Sequence, residues 1–199
     1  MVSFSGCGPN IVTPDILKPD ISAPGVEILI SAAFSPLGSP SSIATDERKV
    51  KFNILYGTSM ACPHATGVAT YFKTFHPNWS PSGIKSTVIT IARPMNATRN
   101  PDAEFSYGAG NIDPLKAINP GLVYQTLKED YIKLLCSISW DSKKVKMISG
   151  DNSSCPEGNK GTALDLNYPS MTAYLKQQDK PFVINFTRTV KNVGSENST

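Results

Sequence analysis

The residues best suited to chemistry lie in one short stretch, residues 57–67, which reads Gly-Thr-Ser-Met-Ala-Cys-Pro-His-Ala-Thr-Gly. Ser59 is a candidate nucleophile, because a serine hydroxyl attacks carbonyl carbons once a base removes its proton. That attack builds negative charge on an oxygen atom, and the free N–H groups at the start of a helix can stabilise such a charge. The chemistry therefore requires a turn that presents Ser59 at the beginning of a helix.

The residues on both sides of Ser59 predict this setting. Residues 51–56 alternate in the manner of a strand, with Phe52, Ile54 and Tyr56 on one face. Gly57 can take backbone angles that other residues avoid. Beyond Ser59, alanines recur at helical spacing and would let a helix approach a neighbour closely: they are Ala61, Ala65 and Ala69. Pro63 suits only the first turn of such a helix, so we expect strand, glycine turn, serine and helix in that order.

Position alone would make Ser59 an ordinary N-cap serine, which is a common feature of helices. The string Gly-Thr-Ser-Met-Ala-Cys-Pro-His, however, closely resembles the serine motif of subtilisin-like serine proteases, Gly-Thr-Ser-Met-Ala/Ser-x-Pro-His. The resemblance implies that Ser59 is the nucleophile of a serine endopeptidase. It also implies hydrolysis of protein or peptide substrates through an acyl-enzyme, without a cofactor or metal.

Two further segments resemble plant subtilases. Residues 3–26 contain Ser-Phe-Ser, Gly-Pro-Asn and Leu-Lys-Pro-Asp-Ile-Ser-Ala-Pro-Gly-Val, and differ from the family at Gly6 and Cys7, where it has Ser and Arg. Residues 107–124 match the end of the protease domain in that family. The resemblance implies an α/β fold, namely the C-terminal part of a three-layer domain with a parallel sheet. It implies that a fibronectin type III-like β-sandwich then begins.

The resulting domain prediction has three parts. Residues 1–125 form the C-terminal portion of the peptidase domain, residues 126–163 a helical and polar connector, and residues 164–199 the truncated start of the β-sandwich. Within them the patterns predict strands over residues 27–33, 144–148 and 182–190. They predict helices beginning at Ser80-Pro81 and running from Leu127 to Cys136. Residues 35–50 read as a Ser- and Pro-rich surface loop.

A serine nucleophile needs a base and a group that orients the base. His64 lies five residues beyond Ser59 on the same predicted helix, which turns its ring away from the serine, so a helix-bonded role is favoured. His76 is expected to cap the end of that helix, and Asp20 to make loop hydrogen bonds.

Chain order gives a reason for the lack of a base. Subtilisin runs Asp, His, Ser, so we expect the triad acid, the base and the oxyanion-hole asparagine ahead of this chain. The chain is then a C-terminal piece that is inactive and poorly folded alone. The alternative is a non-enzymatic remnant that binds partners.

The composition excludes some other functions. The net charge of +3 is too small to indicate nucleic-acid binding, and no apolar run reaches the length of a membrane span. The first residues lack the pattern of a signal peptide, but five Asn-x-Ser/Thr sequons favour a secreted glycoprotein. Those sequons begin at Asn78, Asn96, Asn152, Asn185 and Asn197. The sequon at Asn78 is the least favoured of them because Pro81 follows it.

The four cysteines permit three full pairings and fit no zinc pattern. Cys136 and Cys155 flank a Ser-rich excursion, so we expect a bridge between them. Cys62, inside the predicted helix, is expected to be a small buried residue. A thiol or metal site at Cys62 and His64 is disfavoured, because positions i and i+2 of a helix do not share a face.

Overall fold

The computed structural model describes residues 1–31, 51–158, 161–175 and 179–195. The prediction of a loop at residues 35–50 and the sequon at Asn197 lie outside these ranges. In chain order, the elements of the described part are β1 (Ile28–Ser31), β2 (Phe52–Leu55), α1 (Thr58–Phe75), α2 (Pro81–Thr90), α3 (Glu104–Tyr107), β3 (Leu122–Tyr124), α4 (Lys128–Ser137), α5 (Ser142–Ser149) and β4 (Val190–Asn192). Short 3₁₀ helices cover Ala97–Arg99, Lys116–Ile118 and Ala163–Asp165.

The described strands form two small antiparallel sheets. β1 pairs with β2, with Ile28 opposite Leu55, and β3 pairs with β4, with Leu122 opposite Asn192. The mixture of helices and strands agrees with the predicted α/β class, but these ladders are not the predicted parallel sheet. Only an isolated bridge between Ser22 and Asn111 is parallel in the described part of the chain. Strands of a parallel pair run in the same direction, whereas the register of β1 and β2 runs from Ile28 opposite Leu55 to Ser31 opposite Phe52, which makes them antiparallel.

Helices α1 and α2 pack against each other around one apolar cluster. Val68 and Phe72 of α1 meet Val88 of α2, and Phe72 is completely buried. Burying a side chain of this size stabilises the fold by roughly 1.5–3 kcal/mol. The start of α2 is as predicted, because the Ser80 hydroxyl accepts a hydrogen bond from the Gly83 N–H at 3.1 Å and Pro81 is the first helical residue.

A second apolar cluster joins distant parts of the chain. Ile16, Ile89, Leu166 and Tyr168 are all buried and pack together. The segment around residues 166–168 therefore lies against both the N-terminal region and α2.

The predicted bridge between Cys136 and Cys155 is confirmed, with the sulfur atoms 2.03 Å apart. The predicted helix from Leu127 to Cys136 is confirmed as α4. The strand predicted at residues 144–148 is wrong, because these residues belong to α5. The Asp141 carboxylate caps α5 by accepting from the Lys144 N–H at 2.8 Å, and Gly150 ends it with a φ of 69°.

The last region carries less β structure than the sequence predicts. Of residues 182–190 only Val190 belongs to a strand, β4, and that strand pairs with β3 rather than with a neighbour from its own region. Phe182 is 60% exposed and Val183 is 89% exposed. The predicted strand at 182–190 is therefore wrong apart from its last residue. An alternating pattern forms a strand only where a neighbouring strand supplies hydrogen bonds to its backbone. The β-sandwich stays a prediction.

Candidate active site

Ser59 is the second residue of α1 and its side chain is exposed. Its hydroxyl has no hydrogen-bond partner among the described residues. The helix begins after Gly57, whose φ of 149° lies in the region that favours glycine. The first turn of α1 contains no acidic side chain. The positive end of the helix dipole is therefore available to an incoming negative charge.

The turn before Ser59 is held by a second loop. The Gly25 carbonyl accepts a hydrogen bond from the Gly57 N–H at 2.8 Å. The two backbones approach so closely that a Cβ atom on Gly25 would lie 2.7 Å from the Gly57 carbonyl oxygen. The Ala-Pro-Gly string that ends in Gly25 signals a tight turn in the sequence, but no local pattern reports its contact with Gly57.

A cavity of about 430 Å³ lies beside this turn. Its lining includes Phe4, Pro24, Thr58 and Met95, together with both glycines. Most of the side chains that line the cavity are apolar, as is usual for sites that bind small molecules. Because Thr58 is part of this lining, the apolar surface lies next to the candidate nucleophile, Ser59.

Pro63 is the sixth residue of α1 rather than a residue of its first turn. The prediction was wrong because the helix begins as early as Thr58. Pro63 has no N–H to donate, so the carbonyl of Ser59, four residues earlier, lacks its usual helical partner. The backbone at Ser59 is thus less tightly fixed from within the helix than that of its neighbours.

His64 bonds to its own helix, as predicted. Its Nδ1 lies 2.8 Å from the Met60 carbonyl oxygen. A carbonyl can only accept, so we assign the proton to Nδ1. In the described part of the chain, the structure gives no hydrogen bond between the imidazole and the Ser59 hydroxyl.

His76 and Asp20 also have other partners. The backbone N–H of His76 donates to the Phe72 carbonyl at the end of α1 at 2.9 Å. The prediction that the imidazole itself caps the helix is wrong, because its Nε2 lies 2.9 Å from the Ile118 carbonyl oxygen. The ring therefore ties α1 to a neighbouring 3₁₀ helix. Asp20 accepts from the Lys18 ammonium at 2.7 Å and from the Tyr168 hydroxyl at 2.6 Å, in agreement with the predicted hydrogen-bonding role.

Cys62 is exposed, so its predicted burial is wrong. It lies away from the face of α1 that buries Val68 and Phe72. Cys7 is exposed as well, and within the described residues no group of three or more side chains is arranged to hold a metal ion. No helix in the described ranges combines the length and the apolar character that crossing a lipid bilayer requires.

Comparison with known proteins identifies the family. The sequence profile of the Subtilase family matches residues 1–110, which include Gly25, Gly57 and Ser59. The chain belongs to the subtilase family. Two similar proteins are the subtilisin-like proteases SBT4.8 and SBT4.3 of Arabidopsis thaliana, which are 55% and 53% identical to this subtilase over 100% and 99% of its length.

The alignment covers only part of each relative. This subtilase spans 28% of SBT4.8 and 27% of SBT4.3. Both relatives carry the word protease in their names, which supports the serine peptidase family that the motif at residues 57–67 predicted.

Proposed function

We propose that Ser59 is the nucleophile of a subtilisin-like serine endopeptidase that cleaves proteins or peptides. The observation that carries the proposal is the exposed hydroxyl at the second position of α1, beside a cavity and at a helix end without acidic side chains. Membership of the subtilase family supports the same reaction class.

The proposed reaction proceeds in two steps. Ser59 Oγ attacks the carbonyl carbon of the substrate, and a base takes the hydroxyl proton. The developing oxyanion accepts a hydrogen bond from the Ser59 backbone N–H, which is one of the unpaired donors of the first helical turn. The C–N bond then breaks, the amine leaves with the proton, and water hydrolyses the ester on Ser59.

The base and its orienting acid are proposed to come from a longer polypeptide. His64 and His76 hydrogen-bond to backbone carbonyls, and Asp20 pairs with Lys18 and Tyr168. In the chain order of subtilisin, the acid and the base both precede the serine. The 199-residue chain alone is therefore expected to be inactive.

The remaining parts of the proposal concern location and organisation. The sequons support a protein that enters the secretory pathway and works outside the cell. Residues 164–199 are proposed to begin a fibronectin type III-like domain after a peptidase region that ends near residue 125, with residues 126–163 as the connector.

The test is labelling by a fluorophosphonate probe, which reacts with activated serines. The longer polypeptide, which by this proposal supplies the base and its orienting acid, should be labelled at Ser59. Ser59→Ala should abolish labelling. The matched control is Thr66→Ala, which removes an exposed hydroxyl from the same helix and should leave labelling intact. Equal labelling of the wild type and of Ser59→Ala would refute the assignment, and absence of labelling in a folded wild type would favour the non-enzymatic binding role.

A further inference from the structure

The sequons differ in what their hydroxyl-bearing residue does in the folded chain. In the sequence Asn96-Ala97-Thr98, Asn96 is exposed and its Oδ1 accepts a hydrogen bond from the Thr98 hydroxyl at 2.7 Å. The same oxygen accepts from the Thr98 backbone N–H at 2.9 Å. These two donors identify Oδ1, so the exposed amide nitrogen is Nδ2, and it has no partner among the described residues.

This arrangement suits chemistry at the amide nitrogen. Two donors on Oδ1 draw electron density towards the oxygen, which makes the N–H protons of the amide easier to remove. The contacts involve only residues 96–98, so they can form in the chain before the tertiary structure is complete. Asn-x-Ser/Thr is the acceptor pattern for N-linked sugars in secreted proteins.

The sequon at Asn78 is built differently. The Ser80 hydroxyl accepts from the Gly83 N–H at 3.1 Å and lies 3.0 Å from the Ser82 hydroxyl, so it serves as the cap of α2. The Trp79 ring stacks on the His76 ring with their centres 3.9 Å apart. The segment is thus fixed between α1 and α2, and its hydroxyl is occupied.

We propose that Asn96 is an N-glycosylation site and that Asn78 is not. In the reaction, Nδ2 of Asn96 attacks C1 of a sugar carried on a lipid pyrophosphate. The bond from C1 to the pyrophosphate oxygen breaks, the pyrophosphate leaves with the electron pair, and the amide nitrogen gives up one proton. No oxidation or reduction takes place. Met95, the preceding residue, lines the cavity beside Gly57, so the sugar would stand at the rim of the candidate active site.

The experiment supplies the secretory route, so its result depends neither on the natural location of the protein nor on the role of Ser59. The full 199-residue chain is translated behind a cleavable secretion signal in the presence of endoplasmic reticulum microsomes. Only chains protected from added protease are scored. Enzymatic release of N-glycans in heavy-oxygen water then marks each occupied Asn, and mass spectrometry gives the occupied fraction at Asn96 and at Asn78.

We expect Asn96 to be occupied in most protected chains and Asn78 in few of them. Thr98→Ala should abolish occupancy at Asn96 while leaving the acceptor amide in place, and Thr98→Ser, which keeps a hydroxyl, should retain it. The exposed Asn152 and Asn185 report on each variant independently. An unoccupied Asn96 in protected chains would overturn the inference, as would equal occupancy at Asn78 and Asn96.

Discussion

Gly25 and Gly57 hold the candidate nucleophile in place through a single backbone contact. Gly57 lies two residues before Ser59, and its N–H donates to the Gly25 carbonyl at 2.8 Å. The contact fixes where α1 begins, and hence where the first free N–H groups point. The position of Ser59 thus depends on a loop more than 30 residues earlier in the chain.

Gly25→Ala should therefore damage both the fold and the site. The added methyl group would lie 2.7 Å from the Gly57 carbonyl oxygen and 3.3 Å from the Ala61 Cβ atom, so one backbone must move. We expect the free energy of unfolding of the longer polypeptide, from urea titration, to fall by about 1–3 kcal/mol. The rate of fluorophosphonate labelling at Ser59 should fall as well, because the turn shifts.

Gly67→Ala is the matched control for that substitution. Gly67 lies in the interior of α1, and an added Cβ there meets nothing within 4 Å. Alanine has the higher helix propensity, so stability should rise by roughly 0.5–1 kcal/mol without a change in labelling. If Gly25→Ala were as harmless as Gly67→Ala, the contact between the two glycines would not position the site.

Tyr168→Phe tests the link between the C-terminal segment and the loop that leads to Gly25. The Tyr168 hydroxyl donates to Asp20 at 2.6 Å and accepts from the Lys18 ammonium at 2.8 Å. Removing the hydroxyl should lower the free energy of unfolding by roughly 1–3 kcal/mol, because the partly buried Asp20 carboxylate and Lys18 ammonium each lose a hydrogen bond. Tyr174→Phe, which changes an exposed tyrosine, should have almost no effect.

The pH dependence of stability gives a second readout for Tyr168. Burial, and then the nearby Asp20 carboxylate, raise the pKa of the Tyr168 hydroxyl. A raised pKa means that the folded state keeps its proton after the unfolded state, with a pKa of about 10, has begun to lose it. The contribution is therefore complete below about pH 10 and declines above it. Urea titrations on both sides of that pH should show a steeper loss for the wild type than for Tyr168→Phe, and parallel curves would contradict the assignment.

Local signals predicted the parts of the fold that local contacts determine. Ser80-Pro81 marked the start of α2 because the cap bonds to Gly83 within the same turn. The five residues 144–148 are too short a stretch to separate a strand from a helix by pattern alone, whereas the Asp141 cap and Gly150, just outside them, define α5. The Tyr168 contact with Asp20 spans 148 residues, and no periodicity in the sequence reports a contact of that range.

The same distinction holds for the candidate site. The patterns of residues 51–67 predicted the strand, the turn and the helix around Ser59, since these elements directly follow one another in the sequence. The exposure of Cys62 could not be predicted, because it depends on which face of α1 meets α2.

Replacing both Cys136 and Cys155 by serine should destabilise the connector region. The bridge closes a loop with a sequence separation of 19, and Cys136 is completely buried. The chain-entropy relation gives about 3 kcal/mol for a loop of this length. The expected loss should appear in urea titration of the oxidised wild type against the double variant. Cys7→Ser, at an exposed free cysteine, should leave the midpoint unchanged; a double variant as stable as Cys7→Ser would show that the bridge contributes nothing.

His64→Ala should leave Ser59 reactive. The His64 ring bonds to the Met60 carbonyl, so its loss removes one hydrogen bond at a cost of about 0.5–1.5 kcal/mol in unfolding free energy. The rate of fluorophosphonate labelling of the longer polypeptide should stay within a few-fold of the wild type, and its dependence on pH should keep the same midpoint. In subtilisin, by contrast, loss of the catalytic histidine costs about 10⁶ in turnover. A loss of labelling as complete as that of Ser59→Ala, in a variant that unfolds cooperatively, would make His64 the base and would place the whole proton transfer on α1.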